Sequence, residues 1–295
     1  MSENDQFLGK LGQLAIWKDG TVQRRAPHKP LLLLLYLGAV QQGKERLLPY
    51  VEVEAKLAAA LEKFGPQRKQ CHPEYPFWAL TNDGICEVKY RGILVKKKGE
   101  NKPTRSSLIN SQAAGGFVTK YYFLLREDRD LQASVAHYLM DAHFPVSLHE
   151  DLLAFFGLQL PAPRPGLRSH GVDLGLRELV LKAYDHRCAF SGFSVGTANW
   201  TGLEIAFFCW RQVGGVSAAA NAIPMTTTLR KLFDLGVLGV DDDYHVMVTK
   251  EVLDHPHTSS HVKDLNGKKL TLPKLPNSAP SLANVRWHRR EVFKG

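Results

Sequence analysis

The 295-residue sequence has little cysteine: Cys71, Cys86, Cys188 and Cys209, with no two at C-x-x-C spacing. That argues against a disulfide framework and against a zinc site built on cysteine pairs, and it points to a cytoplasmic setting. Long apolar runs are also missing. The longest, Leu31 to Val40, has ten residues, whereas a bilayer-spanning helix needs about twenty, so it reads as a buried helix and no membrane is expected as a partner. Met1 to Lys10 carries no signal-peptide pattern. Internal repeats and low-complexity tracts are absent. Acidic residues are outnumbered, 29 Asp and Glu against 38 Lys and Arg, for a formal charge of +9. A basic balance favours a polyanionic partner, most often nucleic acid. What is present is enough apolar sequence, 44%, for two ordinary folded domains.

The fold expected is α+β. Three prolines and two glycines in Leu160 to Gly171 mark a linker, which divides the chain into 1–158, a linker at 159–172, and 173–295. The first part reads as mainly helical. Phe7 to Trp17 follows a helical period, Pro30 sits in the first turn of the Leu31 to Val40 helix, and Glu52 to Phe64 is amphipathic. Phe77 to Leu80 and Ile85 to Val88 flank Thr81-Asn82-Asp83-Gly84, which predicts a small β-hairpin. Helices are expected at Gly116 to Leu125, Asp130 to Ala142 and Leu148 to Phe156. In the second part, Leu174 to Tyr184 reads as a helix. Cys188 to Phe193, Leu203 to Phe208 and Tyr244 to Val248 read as strands. Ala218 to Phe233 reads as a loop leading into a helix, and Trp287 to Phe293 as a short basic helix.

Positive charge gathers in the first part. Lys89 to Arg105 holds Lys89, Arg91, Lys96, Lys97, Lys98, Lys102 and Arg105 against one acid, Glu100. With its glycines and proline it reads as a mobile basic loop, suited to a phosphate backbone or simply to solvent. Arg24, Arg25, His28 and Lys29 form a second group, and Arg68, Lys69 and His72 a third.

Ala26-Pro-His-Lys-Pro-Leu-Leu-Leu-Leu-Leu35, Cys71-His-Pro-Glu-Tyr-Pro-Phe-Trp78 and Ala142-His-Phe-Pro-Val-Ser-Leu-His-Glu-Asp151 resemble the hallmark segments of the DNA sulfur-binding domain. That domain belongs to type IV restriction endonucleases recognising phosphorothioate-modified DNA. The resemblance covers about Phe7 to Gly157. It implies that Tyr75, Pro76 and Ala79 form a sulfur pocket with Pro27 nearby, and that His28 and Lys29 touch the DNA. A basic loop residue such as Arg105 would stand opposite. The charge clusters themselves offer Arg68, His72, Lys96, Lys97, Lys98 and Lys102 to the phosphates. Phe77 and Trp78 read as core aromatics, and His28 reads equally as a helix cap.

Asp173 to Phe293 resembles the HNH (ββα-metal) nuclease domain that follows the sulfur reader in this family. The resemblance rests on Gly202-Leu-Glu, Gly214-Gly215, Ala220-Asn221, Lys231-Leu-Phe-Asp-x-Gly236 and the ending Trp287-His-Arg-Arg-Glu-Val-Phe293. It implies a strand histidine as general base and helix histidines on a divalent metal. Here Phe207 stands at the first position and Leu229 and Arg230 at the others, and only Asn221 keeps its family identity. Cys188 with Ser191 replaces one zinc-binding cysteine pair. Loss of a general base costs about 10²–10⁴-fold in rate. The expectation is therefore a degenerate domain with no cofactor, in which Phe207, Phe208, Met225 and Leu229 pack where ligands would stand.

Three readings follow: a non-cleaving reader of phosphorothioate-modified double-stranded DNA; an active modification-dependent nuclease working through Asp185, His186 or Asp241 to Asp243; and a module whose C-terminal part forms a homodimer or recruits a partner.

Overall fold

The computed structural model describes residues 3–14, 24–97, 99, 101–161, 173–195, 202–275 and 277–295. Ala15, Trp17, Lys98 and linker residues 162–172 lie outside them. The fold is helix-rich with small antiparallel sheets. The chain divides into two compact units: Met1–Val22, Ala26–His143 and His149–Leu167; and Gln23–Arg25, Phe144–Leu148 and Arg168–Gly295.

The first unit contains α1 (Glu3–Gly12), α2 (His28–Gln41), β1 (Leu48–Pro49), α3 (Tyr50–Phe64), α4 (Glu74–Ala79), β2 (Cys86–Lys89), α5 (Arg105–Asn110), β3 (Ala114–Phe117), α6 (Thr119–Glu127), α7 (Arg129–His143) and α8 (His149–Phe156). Helix α2 is apolar all round and therefore central. Leu31 to Leu37 are buried, and the helix packs against α3, α4, α6, α7 and α8. Pro30 falls in its first turn, where a missing N–H costs nothing.

Two expectations fail here. Phe77 to Leu80 is not a strand: Phe77 to Ala79 lie in α4. The strand after the Asp83-Gly84 turn pairs instead with β3, Cys86 opposite Phe117 and Lys89 opposite Ala114. Turn chemistry supplied the reversal, but the partner came from residues far along the chain. Gly116 likewise opens no helix. It sits in the central strand of the order β1-β3-β2, where a Cβ would lie 2.0 Å from the Arg46 carbonyl oxygen.

The second unit contains α9 (Leu174–Ala183), β4 (Leu203–Phe207), β5 (Ala222–Thr226), α10 (Thr227–Asp234), β6 (Leu238–Val240), β7 (Val246–Val248), α11 (Lys250–Asp254), α12 (Ser260–Lys263) and α13 (Leu282–Glu291). β4 and β5 pair antiparallel, Phe207 opposite Ala222, and β6 pairs with β7. Ala222 to Thr226 is a strand where a loop was expected, because Pro224 hid its pattern. Cys188 to Phe193 is not a strand but a tight loop, closed by Cys188 N donating to Phe193 O and Gly192 N to Cys188 O. Stacked rings fill the core: His288 lies 3.6 Å from the Phe233 ring, nearly parallel to it, and Phe208 meets Phe233 edge-on at 5.3 Å. Arg25 belongs to this unit. Its guanidinium lies 3.8 Å over Trp210 and donates to the Glu291 carbonyl oxygen. None of the described helices is long and apolar enough to cross a membrane.

Candidate nucleic-acid interface

Helix α4 begins directly after Pro73, and Pro76 occupies its first turn. Tyr75 and Ala79 stand four apart and so share one face. Phe77 points the other way into the core, edge-on to Tyr50 at 4.9 Å, as expected for a core aromatic. Tyr75 is half-buried. His72 stacks on its ring at 4.7 Å. The ammonium groups of Lys97 and Lys102 lie 4.6 and 4.9 Å from the ring centroid, and Lys97 Nζ donates to the Tyr75 hydroxyl. Such placement over an aromatic face is favourable in itself, and it leaves two positive charges beside one small apolar patch.

Lys97 and Lys102 meet there because the described residues on either side of them pair as two antiparallel arms. Lys97 N donates to Lys102 O, Lys96 bridges Pro103, and Thr104 N donates to Val95 O. Trp78 Nε1 holds the tip through the Asn101 carbonyl oxygen at 3.1 Å. Thr104 caps α5 by accepting from Ser107 N.

At the start of α2, Pro27 is buried and His28 follows half-buried. Burial, and then the positive charges of Arg68 and His72, push His28 down to about 4. It is a neutral group at physiological pH. Lys29 pairs with Asp83 at 2.7 Å, both nearly buried. Lys96 Nζ donates to the Asn101 side chain, His72 Nδ1 lies 2.9 Å from Glu74 Oε1, and Arg105 forks onto Glu54.

The structure thus gathers Tyr75 with His72, Lys97 and Lys102, and couples His28 to Arg68 and His72. It turns Lys29 and Arg105 toward carboxylates. Sequence reading missed those acceptors, Glu54, Glu74 and Asp83. Glu74 lies inside the Cys71 to Trp78 segment, while Glu54 and Asp83 carry no local sign of their partners.

In the second unit, Phe207 and Leu229 are buried with Phe208 and Met225 in one apolar cluster. Arg230 lies between two carboxylates, 2.6 Å from Glu204 and 3.6 Å from Asp234. Asn221 spends its side chain on the backbone: Nδ2 donates to Cys209 O and Val216 O, and Oδ1 accepts from Cys209 N. Asp185 pairs with Lys274, and Asp242 with Arg286 and Arg289. Among the described residues, no three His, Cys, Asp or Glu side chains gather as a metal site would require.

A helical frame presenting an aromatic ring amid lysines suits a polyanionic partner. The chain belongs to the ScoMcrA-like DNA sulfur-binding domain family, whose sequence profile matches residues 4–161. Among solved structures, it is similar to the sulfur-binding domain of ScoMcrA complexed with phosphorothioated DNA. There the identity is 27% over 54% of this chain and 96% of that one, with a TM-score of 0.46. The sulfur-binding domain of SprMcrA, also complexed with phosphorothioated DNA, gives 21% identity, 53% and 95% coverage and a TM-score of 0.46. The type IV phosphorothioation-dependent restriction endonuclease ScoMcrA gives 26% identity over 52% of this chain but 28% of that one, with a TM-score of 0.42. No curated protein matches the chain.

Proposed function

We propose that this protein binds phosphorothioate-modified duplex DNA by accepting the sulfur atom at an apolar pocket of Tyr75, Pro76 and Ala79, with Pro27 beside it. Sulfur is larger and less tightly hydrated than the oxygen it replaces. An apolar wall accepts it cheaply and penalises oxygen, which loses water without gaining a hydrogen bond. Discrimination of this kind is worth about 1–3 kcal/mol. The observation that carries the reading is the pair of lysine ammonium groups at the Tyr75 ring: they set positive charge for a thiophosphate beside the aromatic surface that would meet its sulfur. His28 is a neutral neighbour and not a charge.

The second unit is a degenerate ββα-metal domain that does not cut. Support comes from the order β4, β5, α10, with Phe207 at the end of β4 and Leu229 and Arg230 on α10. These side chains do not fit a metal: two are apolar and the third is a cation already held by Glu204 and Asp234. Phenylalanine cannot accept a proton from water.

A titration of a phosphorothioate duplex and its unmodified twin, at fixed salt with magnesium or manganese present, tests both parts. Tighter binding of the modified duplex with intact DNA on a gel is expected. Equal affinities overturn the sulfur reading, and metal-dependent strand breaks overturn the inactive second unit.

A further inference from the structure

Tyr90, Ile93 and Val95 are 46%, 90% and 63% exposed. Single exposed apolar side chains are ordinary. Three within six positions, interleaved with the exposed Lys89, Arg91 and Lys96, form a patch in which apolar groups and cations alternate. The backbone beneath is fixed at both ends. Arg91 N donates to Ser111 O at 2.8 Å, Val95 N donates to Ser107 Oγ at 2.7 Å, and Val95 O accepts from Thr104 N at 3.1 Å. Gly92, at φ +72°, makes the turn between them. Ile93 is held out at the middle and adds nothing to the core.

Its position relative to Tyr75 is bounded. Lys97 Nζ lies 4.6 Å from the Tyr75 ring centroid. Four residues of chain span at most about 14 Å and an extended lysine side chain adds roughly 6 Å, so Ile93 stands within about 25 Å of Tyr75, or roughly seven base-pair steps of a duplex. A duplex with its modified phosphate at Tyr75 brings the neighbouring bases within reach of Ile93. The chemistry of the patch matches one feature of those bases. Cations on either side suit the backbone phosphates, and an aliphatic side chain suits the C5-methyl group of thymine, the apolar feature of the major groove.

We propose that Ile93, flanked by Tyr90 and Val95, reads sequence context by apolar contact with a thymine methyl group within about seven base pairs of the modified phosphate. This rests on the reading of Tyr75 as the sulfur site. The contact makes Ile93 a specificity-determining residue, separate from the pocket and from the lysines that hold phosphate.

The test uses the full chain and phosphorothioate duplexes in which each thymine near the modification is replaced singly by deoxyuridine, which removes the methyl group and nothing else. The wild-type protein is expected to lose about fourfold in affinity at one or two positions, the effect of uncovering one methyl group. Ile93→Ser is expected to bind all these duplexes alike while keeping its preference for sulfur and its melting temperature. Indifference of the wild-type protein to every deoxyuridine overturns the proposal, as does an undiminished methyl effect in Ile93→Ser. Absence of sulfur preference in the wild type sinks the pocket reading, whereas sulfur preference kept together with indifference to deoxyuridine sinks the methyl contact alone.

Discussion

The Arg105 guanidinium grips the Glu54 carboxylate through two hydrogen bonds, 2.6 Å from Nε and 2.7 Å from Nη2. Glu54 also accepts from the Tyr50 hydroxyl. In the free protein this arginine is therefore committed to a carboxylate of α3, and DNA gains it only by exchange. Glu54→Gln keeps an acceptor for Tyr50 and removes the charge. Affinity for modified and unmodified duplexes is expected to rise together, with the slope of log affinity against log salt steeper by about 0.9. An unchanged slope would place Arg105 away from the DNA.

Tyr75→Ala removes the ring on which His72, Lys97 and Lys102 converge. The sulfur preference is expected to fall by at least about tenfold, leaving weak, salt-sensitive binding. Phe77 carries the core side of the same helix, so the melting temperature is expected to change little. A preference that survives the substitution refutes the pocket.

On the proposed reading, Lys97 and Lys102 act on the phosphate charge and not on the choice between sulfur and oxygen. Changing both to Ala is expected to weaken binding to any duplex and to flatten the salt slope by about 1.8, two released counterions' worth. Titrations from 50 to about 200 mM salt would read this directly. Loss of sulfur preference without a change in slope contradicts the assignment.

His288 supplies a pH dependence of folding. It is buried against Phe233, with Nε2 at the Phe233 carbonyl oxygen, and burial pushes it down to about 3. Below its ordinary value the unfolded chain takes up a proton that the folded protein refuses. The stability it contributes is whole above about pH 6.5 and is lost as pH falls toward 3. His288→Phe keeps the stacking and removes the titration. Urea unfolding between pH 7 and 4 is expected to show a shallower loss in the variant, and parallel profiles would be evidence against a neutral buried imidazole.

Helices were legible wherever an apolar period ran unbroken. The Leu31 to Val40 run could only be a central helix, and Glu52 to Phe64 shows its buried face. The strands were harder, because β2 finds its partner in Ala114 to Phe117 and nothing near Cys86 announces that. Gly116 was expected to open a helix, but with Gly115 it is the part of β3 that lets Arg46 and Phe77 come close. In the candidate site, Tyr75 was pointed to by the resemblance of the Cys71 to Trp78 segment to the sulfur-binding family. Which lysines reach it was not legible, since that depends on cross-strand pairing and not on the number of charges. Glu54 and Asp83 were invisible for the same reason: their partners lie far away in sequence.

The pairing of Lys97 with Lys102 sets a rule of length. Side chains alternate sides along a paired strand, so gaining or losing one residue on either arm of the hairpin would turn the lysine of that arm away from Tyr75. Substitutions between them leave that spacing intact. Among relatives that keep this tyrosine, the number of residues separating the two cations should be held constant while their identities drift, and a one-residue deletion here should do more harm than several simultaneous replacements.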